Sequence, residues 1–380
     1  MKSFLVKEIK PNSFFSKTVY LDKKYILTTP EMPFTDELIS DLVKWSFNSV
    51  FSEGEPHKEY TSTESAGKTG SSSASALSQQ PENDKLEKAK NYYANFLMYV
   101  ENLFIRATIS DELDYKSVTE KIRDMVEYIK EDRRYLMRIL KDNEPGPDKN
   151  YLAAHSVRSS IIAIIIGSFL KLPNHKLFEL GVAALLHEIG MLKLPSQIYL
   201  SQRPLTAPEQ KAIFTHPILG YTMLKSFDFP PAICLAALEH HERENATGYP
   251  RRLTSDKISL YSKIISVACS YDALSSKRPH KEAKDGYTGM LELLKNEGKG
   301  YDDTVVKALV LSLSIYPIGL YVLLSNGKKA QVVDINPENP RFPIVQIFNE
   351  FTPDGKIKTM QTSQKEISIV RPLNRSEINN

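Results

Sequence analysis

The sequence predicts a mainly α protein: an all-helical central domain, a small α/β module before it and a short β-hairpin extension after it. Three observations carry this. From Tyr151 to about Leu313 nearly every segment keeps helical spacing of its apolar residues, with proline punctuation at Pro173, Pro195, Pro204, Pro217, Pro230-Pro231 and Pro279. β-type runs gather near the two ends of the chain. Six of the 8 histidines fall between positions 155 and 241, spaced as though several helices brought them together.

The elements follow in order. Residues 1–54 form the N-terminal module, with β-type runs at Phe4-Leu5-Val6, Thr18-Val19-Tyr20-Leu21 and Tyr25-Ile26-Leu27-Thr28. A helix then starts at Thr35-Asp36-Glu37, with Thr35 as N-cap and acidic residues in the first turn. Residues 55–84 carry Glu, Ser, Thr, Gly, Lys and Gln with few large apolar groups, and read as a disordered linker. Residues 85–142 form a helical connector, broken near Asp111 to Asp114 and ended by Asn143-Glu144-Pro145-Gly146-Pro147. The central domain covers 151–316 and the β extension and tail 317–380. In the extension, Leu320 to Leu324, Asn326-Gly327 and Ala330 to Asp334 make a hairpin signal, and Ile344 to Phe348 supplies a further strand.

Composition sets limits. A chain of 380 residues has room for two or three domains, and 41% hydrophobic with 25% charged is ordinary for a soluble protein. A net charge of +3 makes no demand for nucleic acid, and no DNA partner is expected. Two cysteines, Cys234 and Cys269, make no disulfide framework and fit a reducing cytoplasm. The N-terminal stretch lacks the apolar core of a signal peptide. The run Ile161 to Leu170 is shorter than the ~20 residues of a bilayer span, so it is expected to be a buried core helix.

Chemistry concentrates in one ordered set: His155, then His187-Glu188, then His216, then His240-His241 leading through Glu242 and Arg243 to Gly248-Tyr249-Pro250. Neutral imidazole is a common ligand of transition metals, and packed helices hold several ligands on one point with little freedom. His240 and His241 are adjacent and cannot share one helical face, yet both can reach a dinuclear centre whose ions lie ~3.5–4 Å apart. The bland alternatives are a buried hydrogen-bonding role for His155, a helix-surface carboxylate for Glu188 and a small buried hydrophobe for Cys269, the last being the expectation for that residue.

This order, with Leu205-Thr206 and Glu209, then Tyr271-Asp272-Ala273-Leu274 and Arg278-Pro279, resembles the HD-GYP family of HD-domain metal-dependent phosphohydrolases over roughly Tyr151 to Tyr316. The resemblance implies an HD-type all-helical fold and hydrolysis of cyclic di-GMP to pGpG or GMP, lowering a bacterial second messenger. It implies divalent transition metals, two being expected, iron or manganese. By position, His155, His187, Glu188, His216, His240 and His241 correspond to metal ligands, with His187, Glu188, His240 and His241 at the reacting centre. Arg278, Lys281, Tyr249 and Asp272 are expected at the substrate, Asp272 having orientation of a helix or pairing with Arg278 as its alternatives. Gly248, Tyr249 and Pro250 form the signature loop, through which protein partners are also expected, and the 84–142 helices offer a homodimer contact.

The sequence departs from the family pattern at four places. Glu188 stands for the name-giving Asp and keeps a carboxylate one methylene longer. Tyr151 stands where many members have a Glu ligand of a third metal. Cys269 stands for the late metal-binding Asp, and a thiolate there would shift preference towards zinc. Met191 replaces a Lys that could supply positive charge near the leaving group. These departures support a rival reading, a catalytically impaired member that acts as a cyclic di-GMP receptor or interaction module.

Overall fold

A computed structural model describes residues 2–21, 26–28, 34–44, 47–57, 73–110, 112–142, 151–201, 203–276, 286–295, 300–336, 338–353, 357–373 and 375–378. The chain divides into two compact units, residues 1–70 and 71–380.

In the first unit, strands β1 (Lys2–Leu5), β3 (Val19–Tyr20), β4 (Ile26–Thr28) and β5 (Ser49–Ser52) form an antiparallel sheet in the order β1-β5-β3-β4. Strands β2 (Phe14–Phe15) and β6 (Pro56–His57) pair separately. Helix α1 (Asp36–Lys44) starts where expected, with the Leu38 backbone N–H donating to Thr35 Oγ1 at 3.2 Å. The core is Val6, Ile9, Phe15, Val19, Phe34, Leu42 and Val50. Pairing of β6 extends the module into the expected linker, of which residues 58–72 lie outside the described residues.

The second unit opens with α2 (Ser73–Ile109), which begins twelve residues before the expected connector. Polarity alone misled there: a helix needs good formers, and Ala74, Ala76, Leu77, Gln79 and Gln80 supply them. The break falls between α2 and α3 (Tyr115–Asp142), where the Ser117 backbone N–H donates to Asp114 Oδ2 at 2.7 Å. Then follow α4 (Tyr151–Phe169), α5 (Asn174–Leu186), a 3-10 turn at Ile189–Lys193, α6 (Ser196–Tyr199), α7 (Ala207–Ile213), α8 (His216–Ser226), α9 (Pro231–Glu239), α10 (Leu260–Ser275), α11 (Gly286–Lys295) and α12 (Asp303–Leu313). Helix α4 is the axis of the unit and packs against α2, α3, α5, α10 and α12. It is long and apolar enough to cross a membrane, but 89% of its apolar window is buried inside the protein, as expected of a core helix.

The extension grows into more than a hairpin. Strands β7 (Tyr321–Leu324) and β8 (Lys329–Asp334) turn at Asn326-Gly327, where Gly327 takes φ 79°. With β9 (Ile344–Phe351), β10 (Ile357–Gln361) and β11 (Ile369–Pro372) they form a five-stranded antiparallel sheet in the order β10-β9-β8-β7-β11. Burial alternates along β7, β8 and the first half of β9, placing Val322, Leu324, Ala330, Val332, Val345 and Ile347 on one inner face. A final short turn of helix, α13 (Arg375–Ile378), closes the described chain.

Candidate metal centre

Three helix ends and two helix faces converge on one buried point. His155 projects from α4, one turn into the helix. His187 caps the C-terminus of α5 and Glu188 follows it. His216 is the first residue of α8. His240 caps α9 and His241 lies just beyond, so the chain's turn at the helix end lets both neighbours face inwards. Cys269 comes from α10. Glycines permit this convergence. A Cβ on Gly190 would lie 2.0 Å from the His216 carbonyl oxygen and 2.4 Å from the Gly220 nitrogen, so the 3-10 turn rests directly on the α8 backbone.

The donor atoms fall into two groups that share Glu188. His155, His187, Glu188 and Cys269 form one; Glu188, His216, His240 and His241 form the other, and within each the ligand atoms lie within 4.8 Å of one another. Glu188 Oε1 is 3.9 Å from the Nε2 atoms of both His155 and His187, while Oε2 is 3.2 Å from His216 Nε2. The carboxylate therefore spans the two groups.

Each ring is held by its other nitrogen. His187 Nδ1 donates to the Ala184 carbonyl at 2.7 Å, His216 Nδ1 to Ile213 at 2.6 Å and His240 Nδ1 to Ala237 at 2.8 Å. A carbonyl can only accept, so in these three rings Nδ1 carries the hydrogen and Nε2 keeps a lone pair. His155 Nδ1 is held the same way by Asp272 Oδ2, at 2.6 Å. Consequently His216 Nε2 and His240 Nε2 aim lone pairs at each other across 3.2 Å. That contact repels unless positive charge sits between them. Buried His187 Nε2 and Glu188 Oε2 have no hydrogen-bond partner. The donor set fits divalent metal binding on both counts.

Electrostatics agree. Burial, with His155 adding and Glu188 opposing, pushes the His187 imidazole down to about 4. Burial and His241 hold His240 well below the ordinary histidine value; burial and His216 do the same for His241. These rings are neutral and ready to ligate. Burial opposes the charge on Glu188, and positive charge beside it, on His216 first, lowers its carboxyl below the usual carboxylate range.

Residues 134–305 match the HD domain family. The chain is 34% identical over 241 residues, 62% of its own length and 63% of the relative's, to the cyclic di-GMP phosphodiesterase PdeB of Borreliella burgdorferi. The helical domain is thus similar to HD-domain proteins. A second relative, the cyclic di-GMP phosphodiesterase PA4108 of Pseudomonas aeruginosa, is 33% identical over 199 residues, 52% of this chain and 48% of that protein. The chain thus spans less than two thirds of the length of either relative. Among solved structures, Bd1817, an HDG"Y"P protein from Bdellovibrio bacteriovorus, matches with a TM-score of 0.50 at 15% identity, covering 81% of this chain and 97% of its own; the likeness is one of fold.

The Gly248-Tyr249-Pro250 loop folds back over the centre. The Tyr249 ring stacks on His241, with centroids 4.6 Å apart and 20° between planes, and the Tyr249 backbone N–H donates to the His241 carbonyl at 3.2 Å. Gly248 is obligatory, because a Cβ there would meet the Arg243 nitrogen, Glu242 Cα and His241 oxygen at 2.4–2.5 Å. Buried Glu242 accepts from the backbone N–H groups of Arg251 at 2.6 Å and Leu253 at 2.9 Å, pinning the far end of the loop. Arg243 reaches Ser266 Oγ at 2.7 Å and lies over the Tyr301 ring. Outside Tyr249 stands Phe214, 52% exposed, its ring 4.6 Å from that of Tyr249.

Several expectations need correction or lie beyond reach. Asp272, expected at the substrate, is 2% exposed and occupied: Oδ1 accepts from Arg158 Nε at 2.5 Å and from Ser276 Oγ at 2.8 Å, and Oδ2 from His155 and, at 3.2 Å, from Arg158 Nη2. Its carboxylate is taken up in holding the His155 ring, Arg158 and Ser276. Arg278 and Lys281 lie outside the described residues, and with Arg278 the alternative pairing to Asp272. Thr206 and Glu209, part of the family likeness, form a helix cap, the Thr206 backbone N–H donating to Glu209 Oε2 at 2.8 Å. Cys269 is buried as expected, but its Sγ also stands 3.5 Å from His155 Nε2. Sequence reasoning missed Arg158, Glu242 and Phe214. The signal for Arg158 was there: it is the one Lys, Arg, Asp or Glu in the 19 residues of α4.

Proposed function

We infer that this chain is a phosphodiesterase that hydrolyses cyclic di-GMP to linear pGpG or to GMP. The observation that carries the reading is the pair of facing Nε2 lone pairs beside a carboxylate shared by two ligand groups, a geometry that asks for cations. The names of the two curated relatives support the substrate. We assign two divalent ions to His155, His187, Glu188, His216, His240 and His241, at least one of them of the iron or manganese type.

Bound there, divalent ions lower the pKa of water and offset charge on phosphoryl oxygens. The chain's own groups do the rest. The backbone carbonyls at 184, 213 and 237 and the Asp272 carboxylate fix the imidazoles in one tautomer, so no reorientation is needed when a ligand arrives. The Tyr249 ring covers His241 and limits water on that side. Burial pushes its hydroxyl above the ordinary phenol range, so it stays protonated and can donate its hydrogen to an acceptor such as a phosphate. The exposed Phe214 ring beside it offers a purine base an apolar face. Arg278 and Lys281 are assigned to the phosphates or guanine of the dinucleotide.

The test uses protein purified without oxygen, loaded with manganese or ferrous iron and given cyclic di-GMP. Linear product is expected, with turnover falling about a hundredfold or more in His240→Ala. Tight binding of cyclic di-GMP without any product would replace the enzyme with a receptor.

A further inference from the structure

We propose that the two halves of the centre are chemically unlike: Cys269 ligates the inner ion as a thiolate, so the inner position selects a soft cation such as zinc while the outer position takes a harder one. This rests on reading the cluster as a metal centre; it is independent of whether a phosphodiester is cleaved.

The inner group, His155, His187, Glu188 and Cys269, offers two nitrogens, one oxygen and one sulfur, and all four residues are buried. The outer group, Glu188, His216, His240 and His241, offers three nitrogens and one oxygen, and His241 is partly exposed beneath Tyr249. Sulfur is thus confined to one side of the shared carboxylate. The sulfur–nitrogen distance matches direct ligation, while Glu188 Oε1, 3.9 Å from both His155 Nε2 and His187 Nε2, would have to move inwards to join the same ion. With Zn–S near ~2.3 Å and Zn–N near ~2.0–2.1 Å, a tetrahedral ion places its sulfur and nitrogen ligands about 3.5 Å apart. Cys269 Sγ and His155 Nε2 are 3.5 Å apart. His187 Nε2, buried without a partner, completes the set from the opposite helix. Thiol binding releases the Cys269 proton to solvent and leaves sulfur as the donor.

The consequence is a division of labour. Four protein donors of mixed N, O and S character would fill a four-coordinate position and give the inner ion a mainly structural part. Glu188 would give one oxygen to an inner ion and the other to the outer group, which is the more accessible of the two and lies beside the Gly248-Tyr249-Pro250 loop. The second cysteine supplies an internal control. Cys234 Sγ, on α9, donates to the Phe229 carbonyl at 3.4 Å and belongs to neither ligand group.

Cobalt(II) titration of the metal-free full chain under anaerobic conditions reads this directly. Binding should produce a near-ultraviolet sulfur-to-cobalt charge-transfer band that is retained in Cys234→Ser and lost in Cys269→Ser. In competition between zinc and manganese, one equivalent of zinc should be retained per chain. Cys269→Asp should keep the fold by circular dichroism and lower the zinc preference about tenfold or more. If the serine variant does not fold, the wild-type spectrum and the aspartate variant still decide. Cobalt bound without the sulfur band, or a band that survives loss of Cys269, overturns the thiolate assignment and leaves the metal centre standing. No cobalt bound at all overturns the metal-centre reading and this inference with it.

Discussion

A guanidinium inside an apolar helix needs a counter-charge, and Arg158, 4% exposed, finds it in Asp272. Burial opposes the charge on Asp272, but Arg158 and then His155 hold its carboxyl well below the usual range. The pair joins α4 to α10 and also sets the His155 ring, so folding and ligation share one carboxylate. Asp272→Asn leaves Arg158 uncompensated and should cost about 3–5 kcal/mol in urea unfolding. It should also weaken metal binding about 10–100-fold, as loss of an imidazole's outer partner does. Adding Arg158→Met removes the stranded charge and should recover most of the stability but none of the metal affinity. If the two losses rise and fall together, the double role is wrong. The histidines could be read from the sequence because they come in a distinctive order; this pair could not, because its members stand 114 residues apart and only the fold joins them.

Ligands at helix ends depend on how those ends abut. The 3-10 turn after Glu188 lies on the first turns of α8, and Gly190 and Gly220 let the two backbones touch. Gly190→Ala puts a methyl group against backbone on both sides, where no rotamer change can relieve it. It should cost about 1–3 kcal/mol or more and separate Glu188 from His216, lowering the affinity for the outer ion most. Calorimetric metal titration with a melting curve checks both; a variant that binds and melts like the parent would mean the turn can slide. Elements read well where one face is buried. The α4 apolar run, the Asp114 break and the Asn326-Gly327 turn all announce themselves through periodicity or turn chemistry. β10 and β11 do not. They are edge strands without a wholly buried position, so no alternation marks them, and pairing with β9 and β7 decides their structure.

At the scale of the whole molecule, the centre makes the metal-free protein sensitive to mild acid. His187, His240 and His241 are kept neutral chiefly by burial, whereas in an unfolded chain each binds a proton near ~6.5. Between that value and about 4, where His187 titrates in the fold, the unfolded state holds more protons than the folded state. Stability therefore is fully present above the unfolded value and falls as pH falls through this window, at about 1.4 kcal/mol per pH unit for each buried ring. Glu188 and Asp272, held ionised in the fold, extend the loss below the carboxylate range. Urea midpoints of chelator-treated protein should be level from pH 8 to about 7 and then drop steeply towards pH 5. His187→Gln should reduce that slope by one ring's share, since glutamine takes no proton in either state. Bound ions that fill the Nε2 lone pairs keep protons off, so loading with metal should delay the drop by the affinity of the ions. A level profile through pH 5 in the metal-free protein would show that the rings already reach water or carry protons in the folded state, and the buried neutral cluster would have to be given up.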